Sequence, residues 1–331
     1  MNATSLYPTI SPRIALVCVA VLALIAFLAS LLTGPNGFGF PPEGQAFGLV
    51  MWEIRFPRAV LGALIGAALG MSGAALQGYL RNPLAEPGLL GVSGGAALGA
   101  VIAIHSGLAG LFALALPLGG LAGGALAAAT VMTLAGARTG PLTLILAGVA
   151  VSSIAGAMTA LAVNLSPNPF ASVEIVFWML GSLADRSLVH VWLAGPFILA
   201  GIGVLAWTGR DLDALTLGED AAANLGSDLS RLRWIVVTGT ALAVGAATAI
   251  AGAIGFVGLV VPHLLRPVVG HLPSRLLPAS ALAGAALVLL ADVILRLLPT
   301  AADIRLGVAT AIVGAPFFLW LVIKSRREML P

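Results

Sequence analysis

Ten apolar runs divide this sequence, at 14–33, 56–79, 91–107, 113–136, 142–164, 191–207, 234–255, 256–268, 276–297 and 306–324. A helix rises 1.5 Å per residue, so about 20 residues cross a hydrocarbon layer roughly 30 Å thick. In lipid the backbone must satisfy its own polar groups, and a helix does so within one segment. The runs are therefore expected to be about ten transmembrane helices. Only 9% of the residues are charged, against about 25% in a soluble protein. The 41 glycines fit the same setting, because small residues let membrane helices approach closely. The expectation is one all-α integral membrane domain over 1–331. The run at 256–268 is short and follows its predecessor with almost no loop, so one of the two is expected to be bent or half-length.

Basic residues set the orientation. With ten spans and a cytoplasmic N-terminus, Arg13, Arg81, Arg138, Arg210, Arg231, Arg233, Arg266, Arg275, Lys324, Arg326 and Arg327 fall inside. Arg55, Arg58, Arg186, Arg296 and Arg305 fall outside. Eleven against five is the sign the positive-inside rule requires, and both termini are then cytoplasmic. Trp52, Trp192, Trp207, Trp234 and Trp320 lie near span ends, where amphipathic rings favour the headgroup layer. The first run, at about 20 residues, is too long for a signal-peptide core and reads as a retained helix.

Two connections are more than turns. Segment 165–190 contains Pro167 and Pro169 and then a half-apolar stretch, 173–183, that reads as a short interfacial helix. Segment 208–233 is the longest cytoplasmic loop. There Gly218 precedes Glu219 and Asp220, acids suited to a helix N-terminus, and Gly226 is placed to stop that helix. Two very short helices around Gly218 are expected.

Several function classes drop out. The only lysine is Lys324, so no phosphate-binding GxxxxGK[ST] loop exists. The histidines are scattered, Cys18 is alone, and no cluster has metal-ligand spacing, so no metal, cofactor or enzymatic site is expected. The net charge of +3, with no basic cluster away from membrane edges, gives no nucleic-acid surface. Asp292 is the deepest acid, and Arg296 four residues on shares its helix face and can pair with it. A structural pair there leaves an ion-coupled secondary transporter, which needs a free intramembrane ionisable group, as a remote alternative.

The most specific stretches are 54–93, IRFPRAVLGALIGAALGMSGAALQGYLRNPLAEPGLLGVS, then 215–226, LTLGEDAAANLG, then 251–270, AGAIGFVGLVVPHLLRPVVG, followed by LPASALAGAALVLLADVILR and GAPFF. Together, and in this order, they closely resemble the FecCD-type permeases, membrane subunits of ABC importers for ferric siderophores, haem and cobalamin. The resemblance implies an inverted-repeat fold, spans two to five against seven to ten. It also implies a homodimer with two cytoplasmic ATPase subunits and a periplasmic binding protein, in the inner membrane and its lipid. Arg55 and Arg58 match the family's R-x-P-R and Arg296 its A-D-x-x-x-R, which implies an external basic pocket for carboxylates of the binding protein. Arg305 stands where the family usually has proline, in Asp303-Ile304-Arg305-Leu306-Gly307 against E-L-P-V-G, and is an added candidate for that pocket.

The stretch 215–226 implies the coupling helices that dock on the ATPase, with Leu215, Leu217, Gly218, Glu219, Ala221, Leu225 and Gly226 as candidates. Asn82, Pro83, Pro262 and His263 match structural motifs, N-P-L-A and P-H-x-x-R. A small-residue wall along 149–164, with Ser152, Ser153, Met158 and Asn164, is expected to line the translocation path. The motifs leave the chelate open; ferric siderophore stands first as the family's commonest use, then haem and cobalamin.

Overall fold

The computed structural model describes residues 11–34, 37–41, 45–112, 114–136, 140–166, 169–299 and 304–329, without the side chains of 45, 46 and 325–329. Its helices are α1 (Pro12–Leu32), α2 (Gln45–Leu49), α3 (Phe56–Tyr79), α4 (Val92–His105), α5 (Leu108–Leu111), α6 (Ala115–Ala135), α7 (Pro141–Asn164) and α8 (Pro169–Met179). There follow α9 (Leu188–Ala206), α10 (Gly209–Leu215), α11 (Glu219–Asn224), α12 (Leu229–Ala251), α13 (Val257–Val269), α14 (Pro273–Leu297) and α15 (Leu306–Met329). Among the described residues, eight helices are long and apolar enough to cross a membrane. Three shorter apolar helices, α4, α8 and α13, fall below that length, and α4 and α13 lie on two of the ten expected runs.

Two features were not visible in the sequence. A π-helical turn, Val50–Arg55, joins α2 to α3, so the second span is one helical rod of 33 residues, Phe47–Tyr79. After α1, Thr33–Gly34 and Gly37–Phe38 pair as antiparallel two-residue strands, β1 and β2.

Close contact between small residues builds the core. On α3, Gly66 and Gly70 meet the backbone of Gly284 and Ser280 on α14, where an added Cβ would collide. Gly95 and Gly99 of α4 meet Gly119 and Gly123 of α6 in the same way. Dispersion over such flush backbones holds membrane helices together where lipid offers no hydrophobic drive. α3 and α12 are largely buried, with α9 packed on α12 and α1 on α14, while α7 and α15 expose most of their surface.

The two halves match. In one, α3 leads through an irregular stretch into the short α4; in the other, α12 leads through 252–256 into the short α13. Each short helix starts from a residue in the left-handed conformation, Gly91 (φ +72°) and Phe256 (φ +67°). Contacts across the halves follow suit, α3 on α14 and α12 on α6. Paired, interrupted short helices at corresponding positions mark an inverted-repeat transporter fold.

Candidate functional site

The four arginines expected to form one pocket do line one cavity, of about 460 Å³, between the starts of α3 and α15 and the end of α14. Arg55 differs from expectation. The π-helical turn carries it inward, it is 7% exposed, and its Nη1 donates to the carbonyls of Leu31 (3.0 Å) and Gly39 (2.7 Å). It secures the strand-paired loop to the bundle and so is not a free docking fork, although its buried Nε has no partner.

Arg58 also has a partner in its own chain. Its Nε donates to Asp292 Oδ1 (3.1 Å) and Oδ2 (3.0 Å), and its Nη2 to Oδ1 (2.7 Å). Arg296 completes the group, with Nη2 3.0 Å from Asp292 Oδ2 and further donors on the Ser30 and Thr33 carbonyls and the Ser30 hydroxyl. The Asp292–Arg296 pair was legible from its four-residue spacing; the Arg58–Asp292 pair, 234 residues apart, was not.

Arg305 extends the cavity on its other wall. Its Nη1 donates to Ser182 Oγ at 3.4 Å, its guanidinium lies 5.3 Å from the centre of the Phe177 ring, and its Nε is buried without a partner. Asp303 lies outside the described residues. Four guanidinia less one carboxylate give the cavity a formal charge of +3. Planar forks with unused donors suit a carboxylate, which they can grip bidentately. Below this wall Arg186 donates to the Ile250 carbonyl at 2.8 Å, and burial pulls its pKa below the ordinary value.

At the opposite end of α3 and α14, α10 and α11 form the two short helices expected in 208–233. Gly218 (φ +104°) starts α11, and Gly226 (φ +91°) ends it, with its N–H on the Ala223 carbonyl and that of Ser227 on the Ala222 carbonyl. This is the paired C-terminal bonding of a Schellman stop. Leu215 corrects one expectation: at 2% exposure it belongs to the chain's own core and cannot dock outward. Leu217 (69%) and Leu225 (66%) do face out, Ala221 is half-buried, and Glu219 lies 3.7 Å from Arg81. Arg138 is outside the described residues, and the side chains of Arg326 and Arg327 are not described.

Asn82 accepts from the Leu84 N–H at 2.9 Å, a turn that Pro83 continues beyond α3. Pro262 is buried within α13, and His263 sits edge-on to Phe317 and Trp320 of α15. Along α7, Ser153, Met158 and Asn164 are exposed and Ser152 is half-buried beside Gly94. Among the described residues no group of three His, Cys, Asp or Glu could hold a metal ion.

Among the described residues, eight long apolar helices, two short helices in matching positions and a polar cavity at one end fit a multi-pass membrane permease. The FecCD transport family matches residues 14–324. The vitamin B12 import system permease protein BtuC of Escherichia coli O9:H4 (strain HS) is 42% identical over 320 residues, 94% of this chain and 95% of that one. The protein of the same name from Shigella sonnei (strain Ss046) gives the same identity and coverage. A solved structure, an inward-facing conformation of a metal-chelate type ABC transporter, superimposes with a TM-score of 0.85 at 33% identity, covering 95% of this chain and 99% of that one. The chain belongs to the FecCD transport family and is the permease of an ABC importer.

Proposed function

We propose that this permease carries cobalamin, or a closely related corrinoid, across the bacterial inner membrane. The observation that supports the reading is the 42% identity with vitamin B12 permeases over 94% of the chain. This moves cobalamin ahead of the ferric siderophore that family usage alone placed first. A corrinoid is itself a metal chelate, so the description of the structural neighbour agrees with it.

In this reading two copies enclose the path, with the exposed faces of α7 and α15 turned to each other across the dimer axis. Both termini and 208–233 lie in the cytoplasm, where Leu217 and Leu225 press into two ATPase subunits. The arginine cavity opens outward. Arg305 and the unused donors of Arg58 receive carboxylates of a periplasmic binding protein, while Asp292 and Arg296 keep the fork in register. Hydrolysis in the partners tilts the coupling helices, and the bundle exchanges outward- and inward-facing states.

The test is ATP hydrolysis in nanodiscs holding the permease with its ATPase subunit, to which the binding protein is added empty or loaded with cobalamin, haem or a ferric siderophore. Greater stimulation by the cobalamin-loaded protein is expected. Stimulation confined to haem or a siderophore would reassign the substrate, and failure to co-purify an ATPase would remove the importer assembly itself.

A further inference from the structure

The two halves enter their short helices differently. Gly91 opens α4 with φ +72°, whereas Phe256 opens α13 with φ +67° and ψ −20°. Glycine adopts this conformation freely, but an aromatic residue there is an outlier. Such a residue persists only where its surroundings hold it, and it tends to mark a place that works.

The surroundings here are specific. The Phe256 N–H donates to Glu86 Oε1 at 2.7 Å, from a residue 170 positions away. Two residues on, Gly258 admits Pro87, whose Cδ lies 2.6 Å from where a Cβ would stand. Both clamping residues come from the stretch after α3. That stretch begins at Arg81, beside Glu219 of α11 (3.7 Å). On its far side Phe256 fits against Gly314 of α15, where an added Cβ would overlap Phe256 Cβ and Cγ. In the other half the matching contact needs no side chain: Gly148 of α7 rests on the Leu89 carbonyl. α15 leans within the chain mainly on α13 and α14 and is only 17% buried, so this wedge is one of its few fixed points.

We infer that Glu86 is a positioning residue for the transport cycle: it holds Phe256 as a wedge through which displacement of the stretch after α3 moves α15. The inference rests on the importer reading for its consequence, but the clamp itself is measured without substrate. The bond needs an acceptor oxygen at position 86 and no charge. Removing the acceptor leaves a part-buried amide without this partner, a loss that weakens the wedge about tenfold.

The experiment uses the whole complex with Cys18→Ser and spin labels at Ile294→Cys on α14 and Val313→Cys on α15, both exposed. The distance distribution is read without nucleotide and in the ADP–vanadate state formed by adding ATP and vanadate, beside ATP-driven uptake. Glu86→Ala should broaden the distribution in both states, keep ATP hydrolysis within about twofold and lower uptake by about tenfold. Glu86→Gln, which keeps the acceptor, should restore both. Phe256→Gly, giving the second half what the first has at Gly91, should fold and behave like Glu86→Ala, which keeps the test open if the latter does not fold. Parent-like distances in Glu86→Ala or Phe256→Gly, or a Gln variant as damaged as Ala, would overturn the inference. A parent complex that hydrolyses ATP without uptake would instead count against the importer reading, since the distances are read independently.

Discussion

Replacing Asp292 by alanine should destabilise the permease more than any other single charge removal at the arginine end. The Asp292 side chain is 3% exposed, and its carboxylate receives three hydrogen-bond contacts from Arg58 at 2.7–3.1 Å and one ion pair from Arg296 at 3.0 Å. Without it two guanidinia stand side by side with no counter-charge, their side chains 22% and 12% exposed. Breaking one partner out of a buried ion pair costs about 3–5 kcal/mol. Arg58 is partly solvated, so the lower end applies, about 3 kcal/mol, which corresponds to a Tm lowered by roughly 4 °C in a chain of this size. The assay is thermal unfolding of the purified permease in detergent, followed by tryptophan fluorescence. Asp292→Asn keeps one acceptor oxygen and should lose about half as much. Arg58→Ala combined with Asp292→Ala should fall short of the sum of the single losses by about 1–3 kcal/mol. A Tm for Asp292→Ala within 1 °C of the parent, or strictly additive losses, would refute the claim that this carboxylate holds the arginines together.

Three further outcomes follow from the same geometry. Gly70→Val places two methyl groups where α3 meets the Ser280 carbonyl; overpacking costs about 1–3 kcal/mol or more, read as a fall in folded yield by size-exclusion, while Gly203→Val, with open space around it, should be unaffected. Leu217→Glu with Leu225→Glu, both at exposed positions, should abolish ATPase co-purification, and a fully retained complex would show that these leucines do not dock. Arg305→Glu should weaken binding-protein docking by about tenfold or more while leaving expression intact, since it adds repulsion at an otherwise basic rim; an unchanged Kd would remove Arg305 from the docking surface.

Much of the fold could be read in the sequence because membrane spans need long apolar runs, and a run carries its own backbone bonding. The break at 252–256 announced itself as two runs with no loop between them, and Gly218 and Gly226 marked α11 by backbone conformation alone. What escaped depends on partners distant in sequence. The π-helical turn at Val50–Arg55 lets Arg55 reach the carbonyls of Leu31 and Gly39, and nothing near residue 55 announces those acceptors. Arg58 finds Asp292 only after the halves assemble. Leu215 was a docking candidate only through its place in the family's coupling stretch, and α10, at seven residues, is too short for its periodicity to show that the bundle covers this side chain.

ATP-driven cobalamin import is tested by uptake of labelled cobalamin into proteoliposomes containing this permease, its ATPase and an external binding protein. Accumulation should depend on ATP, stop with vanadate, be unchanged by an uncoupler and exceed uptake of haem or a ferric siderophore. Accumulation that collapses with the proton gradient while ATP is held constant, or no cobalamin uptake beside vigorous siderophore uptake, would contradict it.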